Sequence, residues 1–204
     1  MLWHACLLAL TSILLAAAVP APGGAPSSAA ARLALQEEDL PGTFGVKGGR
    51  DLSDHEHVAL FLKPEVVAVP DLPEGGLYGV MAGVAVHPDV ASAQQAFVAA
   101  GGLSAAAVRA DLEAKAQGVD SVSGVPLKVP GADDSVTFLS RYVLQGVPTV
   151  EYRTRALAGT AVVNVVISAR ATGAGAEPPE LLGQVQHVLA RQLARVAAAG
   201  TASP

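Results

Sequence analysis

Residues 136–171 read VTFLSRYVLQGVPTVEYRTRALAGTAVVNVVISARA, and this stretch decides the fold. Three runs of β-forming residues, 135–144, 149–157 and 161–169, are separated by Gln145-Gly146-Val147-Pro148 and by Ala158-Gly159. Both separators are turn formers, so the runs predict a meander of antiparallel hairpins. The middle run alternates, with Val150, Tyr152, Thr154 and Ala156 on one side and Glu151, Arg153 and Arg155 on the other. That is the pattern of a strand whose two faces meet different surroundings. The last run is apolar on both sides apart from Asn164 and Ser168, which predicts a central strand.

Toward the C-terminus, Pro178-Pro179 open a helix that runs to about residue 198, proline being tolerated in a first turn. Leu181, Leu182, Val185, Val188, Leu189, Leu193 and Val196 form its apolar stripe, and Gln184, His187, Arg191 and Arg195 its opposite face. Toward the N-terminus, a strand is expected over 122–129. Ser104 caps a helix carrying Val108, Leu112 and Ala116 on one face, and Asp89 caps another running through Ala100. Residues 77–86 (LYGVMAGVAV) read as a strand, 70–76 as a loop, and 58–62 and 66–69 as two strands interrupted at Pro64. The segment 34–48 contains a Pro41-Gly42 turn, with Leu35, Leu40 and Phe44 as hydrophobic plugs. No βαβ alternation occurs, so nothing calls for a parallel sheet. The expectation is an α+β domain over 35–198, a single antiparallel sheet of about five to six strands packed with two to three helices, with a flexible tail over 199–204.

In 204 residues the chain holds 51% hydrophobic, 15% charged and only 4% aromatic residues. That is enough apolar material for one core, built mainly from Val, Leu and Ala. A net charge of −5 supplies no basic footprint for phosphates, which excludes nucleic-acid binding as the expected function.

Residues 5–19 (ACLLALTSILLAAAV) form an uncharged apolar run followed by a Pro/Gly/Ala/Ser-rich stretch to Ala31. The run is too short for a spanning helix and fits a secretory signal peptide. Its n-region departs from the pattern in carrying His4 but no Lys or Arg. Cleavage is expected after Ala18, after Ala21 or after the cluster at 29–31, so 1–31 reads as signal peptide and linker. Cys6 is the sole cysteine and lies at the start of the apolar run, not after it, a poor lipobox; its removal leaves a mature domain without thiol chemistry. The expected location is secreted, periplasmic or cell-surface, in a bacterium, with membrane contact only through the signal segment.

Two stretches carry a family resemblance: LQEEDLPGTF at 35–44, and the succession of aromatic strand, hairpin, apolar strand and amphipathic helix from 136 through LLGQVQHVLARQLARV. Together they resemble exported bacterial domains of the PsbP-like kind, including the lipid-anchored mycobacterial LpqN type. The resemblance covers about 35–198 as a pattern of elements, and it implies a compact, generally non-enzymatic accessory or binding module. The missing lipobox departs from the lipid-anchored members, and no family site residues carry over.

Among candidate chemistry, His55-Glu56-His57 beside Asp51 and Asp54 is the densest set of potential metal ligands. His55 and His57 at i, i+2 would share a strand face, but the spacing matches no established zinc motif, and a solvated loop before a strand explains the run as well. Asp133-Asp134-Ser135 lacks the alternating oxygen ligands of a calcium loop. Ser123-Gly124 sits in no nucleophile elbow, and the glycine pairs lack phosphate-loop spacing. Arg141, Arg153 and Arg155 gather on adjacent strands; on one face they would make a cationic patch for carboxylate or phosphate, and the alternative is an exposed face with arginine paired to Glu151. The function expected is an exported non-enzymatic binding domain without a cofactor, its partner a protein, an envelope component or a small anionic ligand. The competing readings are a secreted hydrolase with a Ser/His/Asp site outside known motifs and a metal-binding module at His55 and His57.

Overall fold

The structure is a computed structural model that describes residues 28–63, 73–99, 104–173 and 175–200. Seven strands form one wholly antiparallel sheet: β1 (Val46–Ser53), β2 (Glu56–Leu62), β3 (Leu77–Val86), β4 (Gly118–Val125), β5 (Asp134–Leu144), β6 (Val147–Ala158) and β7 (Ala161–Arg170). Their spatial order is β1-β2-β3-β7-β6-β5-β4. The meander from β4 to β7 therefore starts at the far edge and returns to pair with β3. This places β7 between β3 and β6, the central position its two-sided apolar run predicts. Four α-helices complete the described fold: α1 (Ala29–Leu33), α2 (Val90–Ala99), α3 (Ala105–Glu113) and α4 (Leu181–Gly200).

The α+β class and the single antiparallel sheet agree with the sequence, but the sheet has seven strands where five to six are expected. The additional strand is β1, VKGGRDLS, whose polar residues and glycines carry no alternation. It is a strand because β2 pairs with it, from Val46 opposite Leu62 to Ser53 opposite Glu56. The expected strand at 66–69 lies outside the described residues.

Helices lie on both faces. On the first, α1 packs on β1 to β3 and α4 on β6 and β7. Their shared core includes Leu35, Phe44, Val80, Val84, Val163, Ile167, Leu181 and Leu189, with Leu40 at its margin. Each such buried side chain contributes about 1.5–3 kcal/mol. On the second face α2 covers β6 and β7 through Ala93 and Phe97 against Leu157 and Val162. There α3 covers β4 and β5 through Val108 and Leu112 against Phe138 and Tyr142. Asp89 and Ser104 cap these two helices as expected, Asp89 Oδ1 accepting from Ser92 N at 2.7 Å and Ser104 Oγ from Ala107 N at 3.1 Å.

Ahead of Leu35, Ser28 caps α1, whose Ala30 and Ala31 are buried in the core, so residues 29–31, expected to be linker, are helical. At the other end α4 continues to Gly200, into the stretch expected to be a tail.

Candidate functional site

The two-residue turn Gln145-Gly146, with both residues at positive φ (51° and 81°), closes the β5–β6 hairpin. This is the backbone that suits the right-handed twist of a hairpin. It fixes a register in which Arg141 stands opposite Val150, Phe138 opposite Arg153 and Val136 opposite Arg155. Arg153 and Arg155 thus share the second face, whereas Arg141 points to the first. There its guanidinium lies 3.8 Å from Glu177, which also accepts from the Tyr152 hydroxyl at 2.6 Å. The three arginines do not form one patch.

Nor are Arg153 and Arg155 open to solvent. Arg153 donates from Nε to Glu151 at 2.5 Å and from Nη1 to Asp111 of α3 at 2.6 Å, and Asp111 also pairs with Lys115 at 2.5 Å. Burial pulls the Arg153 guanidinium toward lower pKa, but Glu151 and Asp111 outweigh it and the net shift is upward. Buried Glu151 also accepts from the Tyr142 hydroxyl at 2.8 Å and from Ser168 at 3.2 Å. Burial, reinforced by the Glu151 charge, drives the Tyr142 hydroxyl well above its ordinary value, so it remains a donor. This network consumes its own charges and ties α3 to the sheet.

Arg155 is only 4% exposed. It donates to the carbonyl of Ala96 at 2.7 Å and lies under the Phe97 ring, 5.9 Å from its centroid. Burial lowers its pKa to about 10, with the nearby Glu56 charge opposing. Glu56 is in turn shifted up by burial against the pull of Arg155, and burial and Arg155 together push His87 down. Opposite Arg155 on β7 stands Asn164, itself opposite Gly83 of β3. Its Nδ2, like His87 Nε2, is buried with no hydrogen-bond partner among the described residues.

His55 and His57 are not held together. His55 sits exposed in the turn before β2, while His57 Nδ1 is 2.9 Å from Asp51 Oδ1, which also accepts from Ser28 Oγ at 2.7 Å. Among the described residues, no group of three or more His, Cys, Asp or Glu side chains is placed to hold a metal ion.

What remains accessible is the second face of β2 and β3. Because α2 and α3 pack on β4 to β7, Val58, Leu60 and Leu62 of β2 and Met81 of β3 are only half-buried. Leu60 stands opposite Met81, and Val58 and Leu62 opposite Gly83 and Gly79. A Cβ at Gly79 would meet Leu62 at 3.3 Å and one at Gly83 would meet Val58 at 3.7 Å, so both side chains lean over the glycines. The result is an apolar strip beside β7, with Arg155 and Asn164 at one end and Ser168 and Glu151 at the other. The sequence signal for it was present in LYGVMAGVAV, where Gly79, Met81 and Gly83 fall on one side of a strand otherwise rich in larger apolar residues.

No protein-family profile matches the sequence, and no curated protein matches it significantly. Among solved structures, a fragment of a STAR-related lipid transfer protein from Xanthomonas axonopodis is similar at 8% identity and a TM-score of 0.22, over 71% of this chain and 92% of that one. The lipid transfer and protein localization domain of human StarD13 is similar at 11% identity and a TM-score of 0.22, over 78% of this chain and 89% of that one. Superposition at that level establishes no shared fold.

Proposed function

We propose that this chain is an exported, non-enzymatic binding domain of the PsbP-like kind, acting in the bacterial periplasm or outside the cell. It engages a protein, an envelope component or a small anionic ligand through the strip of Val58, Leu60, Leu62 and Met81. The observation that carries this reading is the half-buried apolar set on β2 and β3, on a face whose strands β4 to β7 are covered by α2 and α3. Apolar side chains grouped on a sheet face and flanked by charge are what a recognition surface requires. The polar groups point the same way, since Glu151, Arg153 and Asp111 are spent on one another.

The test places a photo-crosslinking residue at Leu60 and, as control, at the exposed His187 on α4. Crosslinking in the exporting cell that depends on position 60 and is lost in Met81→Glu supports the reading. Equal yields at both positions would sink it. So would hydrolysis of an ester, peptide or phosphate substrate by the purified domain, if a Ser or His substitution abolished it.

A further inference from the structure

We propose that the strip on β2 and β3 holds a free single-chain amphiphile with a carboxylate head, the head at Gly83 and the tail along Leu60 and Leu62. This rests on the binding reading above and chooses one ligand class for it. Five residues stand in one row across the second face: Arg50 opposite Val58, Val58 opposite Gly83, Gly83 opposite Asn164, and Asn164 opposite Arg155. Directly opposed residues of antiparallel strands project to the same side, so two arginines bracket a valine, a glycine and an asparagine. A Cβ at Gly83 would meet Val58 Cγ2 at 3.7 Å and Asn164 Cβ at 4.0 Å. Those two side chains therefore flank a notch floored by backbone. Asn164 Nδ2 is buried with no hydrogen-bond partner among the described residues, and a buried donor of this kind calls for an acceptor.

The charges around the notch favour an anionic acceptor. Arg50 is exposed on β1, and Arg155, with a pKa of about 10, keeps its proton at neutral pH. Glu56 lies one row further out on β2, where burial raises its carboxyl against the pull of Arg155, and His87 is pushed toward its neutral form. The balance is cationic, and an ionised acceptor makes the stronger hydrogen bond to Asn164.

The next two rows change character. Leu60 stands opposite Met81 and, on its other side, opposite Gly48, where a Cβ would meet nothing within 4 Å. Leu62 stands opposite Gly79, followed in the same row by Ser168 and Glu151. The Glu151 carboxylate repels a second anion at that end, so the head belongs at Gly83. Four residues of strand separate Val58 from Leu62, about 13 Å, the reach of a chain of about ten carbons. A strip this narrow covers one chain. The net charge of −5 opposes docking on an anionic bilayer, which favours a free molecule over a lipid surface.

The purified full chain is titrated calorimetrically with decanoate, without detergent or vesicles. One molecule per chain is expected, with affinity falling about twofold for each carbon removed, as for methylenes covered on one side. Decanol keeps the tail without the charge and should bind at least about fivefold more weakly. Asn164→Leu should weaken decanoate about tenfold or more. The exposed Arg50→Glu should weaken it about fivefold, whereas Arg191→Glu on α4 should leave it unchanged. Decanol binding as tightly as decanoate, or no response to Asn164→Leu and Arg50→Glu, overturns the proposal. So does binding to phosphatidylglycerol vesicles alone, or a doubled mass in solution that Met81→Glu abolishes, since the strip would then serve a membrane or a second copy. If decanoate fails to bind while position 60 still crosslinks specifically, this inference falls and the binding reading stands. Failure of both measurements removes the binding reading as well.

Discussion

Gln192 of α4 accepts a hydrogen bond through its Oε1 from the backbone N–H of Leu35, at 3.0 Å and across 157 positions of sequence. Its Nε2 donates to the carbonyl of Leu33 at 2.5 Å, so one fully buried amide satisfies the main chain on both sides of Ala34. Leu at position 192 would fill the space and orphan both groups. Gln192→Leu is therefore expected to cost about 2–4 kcal/mol, from two buried backbone groups left unpaired. Urea denaturation measures it, and a variant as stable as the parent would refute the bracket.

The Glu151 carboxylate depends on Tyr142, Ser168 and Arg153 for its place inside the protein. Tyr142→Phe removes one bond to a buried charge and is expected to cost about 1.5–3 kcal/mol. Glu151→Ala leaves Arg153 to Asp111 alone and is expected to cost about 3–5 kcal/mol. Because the two residues act on each other, the double variant should fall clearly short of the sum. Additive losses would mean the hydrogen bond is not energetically coupled.

Glu56 supplies a pH dependence. Burial holds its carboxyl above the ordinary value of 4.5, more than the nearby Arg155 lowers it. The folded state therefore binds the proton more tightly than the unfolded one. The stabilisation this gives is fully present below the ordinary value and disappears as pH rises through the raised one. Glu56→Gln imitates the protonated acid at every pH. It is expected to melt above the parent at pH 7, with the gap closing toward pH 4. A gap that widened on acidification would reverse the sign and refute the assignment.

The sequence made the meander legible because its turns and its two-sided apolar run are strong local signals; β3 falls on residues 77–86 as expected. Two elements were hidden for identifiable reasons. β1 has no side-chain pattern of its own and exists through pairing with β2. An alanine-rich helix such as α1 looks like a linker until a core residue such as Phe44 is seen packed in the same cluster as the chain that follows it. The split of Arg141 from Arg153 and Arg155 was readable, since residues paired across the turn at 145–146 place even positions of β6 beside odd positions of β5. Gln192 carried a signal that the sequence reading did not use, since it falls at helical spacing from Val188 and Leu189 within the apolar stripe of α4.

Asp51 joins two parts of the chain that the sequence keeps apart. Its Oδ1 accepts from Ser28 Oγ at 2.7 Å and meets His57 Nδ1 at 2.9 Å, linking the cap of α1 to the β1–β2 hairpin. Asp51→Ala removes the acceptor from both. The Ser28 hydroxyl keeps its cap bond to Ala31 N, so α1 should still form, but with its N-terminal end released from the sheet. The expected outcome is a modest global loss, about 1–2 kcal/mol for a half-exposed pair of hydrogen bonds, with a larger local effect. Amide exchange should accelerate strongly at Ala31 and Arg32, while the central amides of β3 and β7 speed up only in proportion to the lost global stability. Uniform acceleration across all of these would show that α1 and the sheet open as one unit and that Asp51 is no separate latch.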